Sequence, residues 1–307
     1  MRAPHQQVLG TRRAWTSLFV VVLAVGLIGM LVPEAGAAPG TCQVVNARTR
    51  AKSVGDGANL QASIASAASG DTLHITGTCV GTFSIEKNLT LRGRVSGKQI
   101  PTLNGNGAGT VVTIPNLSIN SVVTIDGLTV RNGGNTSFGG GILNAGVLTV
   151  TNSMITGNIA DSRGGGLANF DVATVRNSTI SGNSVTGPPT GTGWGGGITN
   201  APLGNLVLTN TKVSGNMAVQ GAGVENDNDL TLAGTSAITG NSASTSGGGI
   251  YIVTGYNTDP AVYAADGTSA HTDPVSGAVL PAWTGSVSGN TPDQCNPPLT
   301  ISGAACS

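Results

Sequence analysis

Short runs in which apolar and polar residues alternate recur along most of this chain. Leu148-Thr149-Val150-Thr151-Asn152 is matched by Ala173-Thr174-Val175-Arg176-Asn177, by Leu206-Val207-Leu208-Thr209-Asn210 and by Leu230-Thr231-Leu232-Ala233-Gly234. The first and third members are always apolar and the second and fourth mostly polar. That is the period of a β-strand with one face inside and one outside. Nearer the start, Leu73-His74-Ile75, Phe83-Ser84-Ile85 and Leu89-Thr90-Leu91 alternate in the same way. So do Val111 to Ile114, Val122 to Ile125 and Leu128 to Val130, all bounded by Gly, Thr or Asn turns. One stretch has another period. In residues 59–69, Leu60, Ile64, Ala67 and Ala68 share a helical face, with Asn59 as N-cap and Gly70 as the stop.

The strands fall into a fixed repeat. The phrase GGG-I/L begins at Gly139, Gly164, Gly195 and Gly247, with GAGV at Gly221, at intervals of 25, 31, 26 and 26 residues. Between these copies a second phrase, Ile/Val-x-Gly-Asn, ends at Asn158, Asn183, Asn216 and Asn241, with a distant copy at Asn290. Such a period, with no helix-length segment inside it, predicts a stacked β-solenoid with three short strands per turn. Glycine supplies the backbone freedom of the corners, and asparagine amides stack from turn to turn. The columns expected are Asn144, Asn169, Asn200 and Asn226; Asn152, Asn177 and Asn210; and Asn158, Asn183, Asn216 and Asn241. They read as scaffold, not as binding residues.

The fold class predicted is all-β: a right-handed, single-stranded parallel β-helix with a short N-terminal capping helix. The first turn of a solenoid exposes its core and strand edges, so the helix reads as its lid. The expected divisions are a leader over 1–37, an N-terminal cap over 38–70, roughly nine coils over 71–292, and a disulfide cap over 293–307. Two insertions break the period. Residues 187–194 end in Trp194, and residues 251–283 hold Tyr251, Tyr256, Tyr263, Asp259, Asp266, Asp273, His271 and Trp283. Loops of this kind lie on one face of a solenoid and carry its specificity.

The paired phrases resemble the GGA-I/L/V and Phe-x-x-Asn repeats of the polymorphic outer-membrane protein family, with Ile or Val in place of Phe. Gly70-Asp71-Thr72-Leu73 through Lys87-Asn88-Leu89-Thr90-Leu91-Arg92-Gly93 is similar to the opening coils of secreted right-handed parallel β-helix repeat proteins of the pectin-lyase-like superfamily. The resemblance spans about residues 55–292 and implies the fold. It implies no single activity, because that fold hosts both enzymes and non-catalytic surface proteins.

Composition narrows the setting. Arg2, Arg12 and Arg13 precede an apolar run from Leu18 to Val32 and the small residues Ala35-Gly36-Ala37, the pattern of a cleaved export signal. Arg12-Arg13 leaves both the twin-arginine and the general secretory route open. No later stretch has the length of a membrane span. The four cysteines, Cys42, Cys79, Cys295 and Cys306, lie near the two ends of the mature part, so Cys42–Cys79 and Cys295–Cys306 are the pairings expected. Formal charge is zero, but no Lys or Arg follows Lys212. A basic head and an acidic tail allow end-to-end self-association. Nucleic-acid binding lacks both the net positive charge and the interleaved aromatics it requires.

Candidate chemistry is sparse. A Ca²⁺-dependent lyase needs acids stacked on neighbouring turns beside a base, and the aligned columns show none. Hydrolysis needs two facing carboxylates, and the repeat positions no such pair. Of the hydrolase phrases, Asp-Asp and Gly-His-Gly are absent, and Asn-Thr-Asp occurs once, at Asn257-Thr258-Asp259 in the long insertion. Asp227 and Asp229 are weak Ca²⁺ candidates, although turn chemistry alone accounts for them. No other cofactor is implied. Trp194, Tyr251, Tyr256, Tyr263, Asp266, His271 and Trp283 are the candidate ligand contacts. An outward Thr column, Thr149, Thr174 and Thr231, is interrupted by Val207. The function expected is that of a secreted, non-catalytic surface or adhesion protein whose partner is an extracellular glycan or surface protein. The alternative is a carbohydrate-active enzyme, a polysaccharide lyase or glycoside hydrolase.

Overall fold

The alternating runs become strands that pair with their own counterparts one repeat away. The computed structural model describes residues 41–115, 121–187, 192–253, 262–266 and 272–296, with the backbone of 299–301 and 304–306. The expected leader, Tyr256 and His271 lie outside the described residues. Within them the chain is all-β, with one helix and long parallel sheets.

The first sheet aligns Asp71–Thr76, Leu89–Gly93, Val122–Asp126, Val147–Thr151, Val172–Arg176, Asn205–Thr209, Asp229–Ala233 and Val262–Ala264 in parallel. The second runs from Thr78–Val80 to Ser286–Ser288 and the third from Phe83–Ser84 to Cys295–Asn296, each with eight strands. Every repeat visits these sheets in the same order, a topology compatible with a β-solenoid. Among the described residues eight repeats are seen, where roughly nine were expected, and they continue past residue 292 to Cys295–Asn296. Beyond them Leu299–Ile301 and Ala304–Cys306 form an antiparallel hairpin.

Three strands per repeat is too few for the central part. Ile159–Ala160, Ser184–Val185, Met217–Gln220 and Ser242–Ser246 make a fourth parallel sheet. The residues after each Ile/Val-x-Gly-Asn bend stay extended, and Ala160, Val185, Ala218 and Ala243 bury a small cluster of their own. Elsewhere Leu148, Val150, Ala173, Val175, Leu206, Leu208, Leu230 and Leu232 point inward, each at most 1% exposed, into one apolar core.

The asparagine columns are hydrogen-bonded files. In the file at the bend, Asn158, Asn183, Asn216, Asn241 and Asn290 pass Nδ2 to the next Oδ1 at 2.9–3.0 Å, and each Oδ1 also accepts the preceding Asn backbone N–H. In a second file Asn144, Asn169, Asn200 and Asn226 pass Nδ2 to the next Oδ1 at 2.8–2.9 Å. Asn152, Asn177 and Asn210 hold φ of 46–50°, which asparagine tolerates better than other side chains. The glycine phrase has two steric reasons. Gly164 has φ +67°, and a Cβ on Gly166 would stand 2.6 Å from the Gly197 carbonyl oxygen of the next repeat.

The N-terminal cap contains more than a helix. Cys42–Asn46 lies antiparallel between Lys52–Gly55 and Asp71–Thr76, strands that period-two reading placed only from Asp71 onward. The helix spans Ala58–Ser66 with Gly57, not Asn59, at its N-cap; Asn59 Oδ1 accepts the Gly57 N–H at 3.1 Å from inside the first turn. Leu60, Ile64 and Ala67 enter the core, while Ala68 is exposed. Cys42 and Cys79 are joined, with Cα atoms 4.5 Å apart. Cys295 is disulfide-bonded as well; the Cys306 side chain lies outside the description. Asp71 accepts Arg48 Nε at 2.6 Å, Asn46 Nδ2 at 2.7 Å and the Ala68 N–H at 3.0 Å, so its carboxyl is held well below the usual range.

Candidate binding surfaces

The long insertion does not start at Tyr251. That residue belongs to Ile250–Ile252 in the third sheet, and Tyr263 belongs to Val262–Ala264 in the first, directly above Thr231. The added segment that the structure describes is 265–285, apart from 267–271. It crosses the outer face of the first sheet toward earlier repeats. Asp273, 1% exposed, accepts Thr174 Oγ1 at 3.1 Å and Ser276 Oγ at 2.7 Å, and pairs with Arg176, whose pKa burial lowers. Leu280 packs on Val207, Ala233 and Ala265. Trp283 donates Nε1–H to the Ser236 carbonyl at 2.8 Å, so this indole anchors the crossing to the repeats.

This crossing explains the broken Thr column. The outward file reads Thr72, Thr90, Thr124, Thr149, Thr174, Val207, Thr231 and Tyr263. Val207 is 2% exposed because Leu280 covers it, and an apolar side chain suits a covered site better than a hydroxyl. Beside the crossing remains a cleft of about 240 Å³. Asn205, Asp229, Thr231 and Tyr263 line it from the sheet, and Thr272 and Pro274 from the crossing. Tyr263 is 43% exposed there. Asp266 is also exposed, just beyond the strand.

A second cluster lies on the third sheet. Phe138, Arg163, Trp194 and Gln220 each precede a glycine phrase and pair in file. Trp194 is therefore part of the repeat, not a tip of the 187–194 insertion. Its Nε1–H donates to Gln220 Oε1 at 2.5 Å, and the Arg163 guanidinium stacks 4.3 Å from its ring centroid. Arg163 Nη1 reaches Glu225 Oε1 at 2.5 Å and Asp227 Oδ2 at 3.1 Å. The two carboxylates are 0% and 1% exposed. A single long arginine, from two repeats earlier, gathers these two acids of one turn.

Burial, and then the charge of Asp227, push Glu225 up to about 8, against the pull of Arg163; Asp227 is raised by burial as well. One guanidinium cannot neutralise two buried carboxylates, so one of them keeps its proton at neutral pH. Glu225 Oε2 and Asp227 Oδ1 are buried without a hydrogen-bond partner. Asp227 and Arg163 line a pocket of about 180 Å³ with Phe138, Phe170, Ala201 and Pro202, and the two phenyl rings meet edge to face with centroids 5.9 Å apart. Of the Ca²⁺ candidates, Asp227 follows Val224–Asn226 and contacts Arg163, while Asp229 opens the next strand of the first sheet. Among the described residues no group of three or more His, Cys, Asp or Glu gathers around a common point. No helix among them is long and apolar enough to cross a membrane.

Comparison with protein-family models, with curated proteins and with solved structures finds no match to this chain.

Proposed function

We propose that this protein is an exported, non-catalytic, right-handed parallel β-helix, of the pectin-lyase-like kind its repeats resemble, that binds glycan chains at a surface. The observation that carries this reading is Tyr263. Where most other repeats place threonine, the column places an aromatic ring, 43% exposed, on the rim of a cleft bordered by Asp229, Asn205, Thr231 and Thr272. A sugar ring offers C–H faces to an aromatic side chain and hydroxyls to amides, hydroxyls and carboxylates around it. The Cys42–Cys79 bridge supports export.

The enzymatic alternative draws on Glu225 and Asp227, which are paired as acid catalysts often are. Their burial argues against it. A glycosidic oxygen cannot approach carboxylates that are 0% and 1% exposed, and Arg163 occupies the space between them.

Isothermal titration of soluble acidic and neutral oligosaccharides, with chromatography of the recovered sugar, tests this reading. The expected result is saturable binding with the sugar returned at its original length, weakened about tenfold by Tyr263→Ala. Shortened products, or binding that Tyr263→Ala leaves unchanged, would overturn it.

A further inference from the structure

The cleft beside Tyr263 carries charge of one sign. Asp229 is its one charged side chain, and its other polar groups, from Asn205, Thr231, Thr272 and Tyr263, are neutral. Asp229 is half-buried and, among the described residues, forms no salt bridge. The cations of this half of the chain are engaged or face elsewhere. Arg176 stands four positions along the sheet and two strands before Asp229, roughly 16 Å away by strand spacing, and Asp273 already holds it. Arg163 is held by Glu225 and Asp227. Lys212 opens a strand of the second sheet, and no Lys or Arg follows it in the sequence. We infer, on the strength of the glycan reading above, that this cleft selects a sugar bearing a free amino group, with the pyranose on the Tyr263 ring and its ammonium on Asp229.

The register puts the two contacts within one sugar of each other. Tyr263 pairs with Thr231, and Asp229 lies two residues before Thr231 on the same face. One strand spacing and two residues separate their Cα atoms by roughly 8 Å. Ring and carboxylate thus border the same cavity of about 240 Å³, room for one sugar ring. Asn205, paired in register with Asp229, supplies an amide for a neighbouring hydroxyl.

The charge then decides among sugars of similar shape. An ammonium offers Asp229 charge-assisted N–H donors on both sides of the bond, stronger than the single neutral O–H of a plain sugar. An N-acetyl group replaces that charge with an amide. A uronic acid brings a second carboxylate to a cleft that has no cation to receive it, and the two repel.

The test is titration calorimetry of the full chain at pH 6, where the sugar amine is protonated, and at physiological ionic strength. The probes are the glucosamine tetramer, cellotetraose, the N-acetylglucosamine tetramer and tetragalacturonate. The first two share a backbone and differ only in amine for hydroxyl. The glucosamine tetramer should bind about tenfold more tightly than cellotetraose or the N-acetylated tetramer, and tetragalacturonate should bind most weakly. That comparison uses the unaltered protein and needs no variant to fold. In Asp229→Asn the preference for the amine should shrink to less than about twofold. A preference retained in a folded Asp229→Asn would mean that the acidic half of the chain attracts amines at large, and would overturn the assignment. Cellotetraose or tetragalacturonate binding as tightly as the glucosamine tetramer would overturn the amine selection alone and leave the glycan site standing. Binding of none of the four would remove both.

Discussion

Replacing Asn183 by alanine removes four hydrogen bonds from the middle of the bend file. Its Oδ1 accepts the Asn158 backbone N–H at 3.0 Å and Asn158 Nδ2 at 2.9 Å; its Nδ2 donates to the Ile155 carbonyl and to Asn216 Oδ1, both at 3.0 Å. Two of the partners have a second bond to fall back on. Asn158 Nδ2 keeps the Val130 carbonyl, and Asn216 Oδ1 keeps the Asn183 backbone N–H. The Asn158 N–H loses the acceptor it has, at a residue that is 0% exposed. An orphaned buried donor costs about 1–3 kcal/mol, and the other lost bonds and the vacated volume add about as much again. The expected cost is about 3–5 kcal/mol.

Asn177 provides the internal contrast. It repeats with the same period but is exposed, and beyond its φ of 46° it offers only an acceptor for Asn210 Nδ2 at 3.2 Å. Asn177→Ala should cost about 1 kcal/mol for the left-handed backbone, and Asn177→Gly still less. Urea unfolding followed by far-ultraviolet circular dichroism, compared at equal slope, measures both. If Asn183→Ala costs less than Asn177→Ala, the stacked amides are not what holds the bend, and the reasoning fails.

Glu225 gives the protein a pH signature. Its folded pKa is raised to about 8, so between about pH 4.5 and 8 the folded state holds a proton that the unfolded state has lost, and stability falls as pH rises through that window. Glu225→Gln should flatten the decline and gain a few kcal/mol on the wild type at pH 8; thermal melts that stay parallel across the window would contradict this. The Cys42–Cys79 bridge closes a loop with a sequence separation of 37, for which chain entropy gives about 4 kcal/mol. Cys42→Ser/Cys79→Ser should lower the denaturation midpoint accordingly, and an unchanged midpoint would mean that the helix and the antiparallel strands hold the cap without it.

The repeat was legible because each residue's role is copied one period later. Leu148, Ala173, Leu206 and Leu230 repeat an inward position, and Asn158, Asn183, Asn216 and Asn241 repeat a hydrogen bond, so alignment alone exposes both. The cap resisted the same reading. Cys42–Asn46 and Lys52–Gly55 are antiparallel and occur once, and Lys52–Gly55 buries no residue fully. The fourth sheet was missed because its strands begin as two-residue segments, Ile159–Ala160 and Ser184–Val185, too short to show a period.

The two candidate surfaces share a reason for escaping notice, and it is also why they are the places to look for function. Each joins residues that the repeat keeps apart: Thr174 to Asp273 across 99 positions, and Arg163 to Glu225 across 62. Their trace in the sequence is negative. Val207, Arg176 and Ala233 look like defects in an outward polar column until the crossing segment is laid over them, where each has a partner. Glu225 stands where neighbouring repeats place Ala168, Thr199 and Tyr251, and Arg163 where they place Phe138, Trp194 and Gln220. A scaffold of identical rungs has no reason to vary such positions in concert. A column that departs from its own pattern, within side-chain reach of a second column that also departs, marks a contact that crosses rungs.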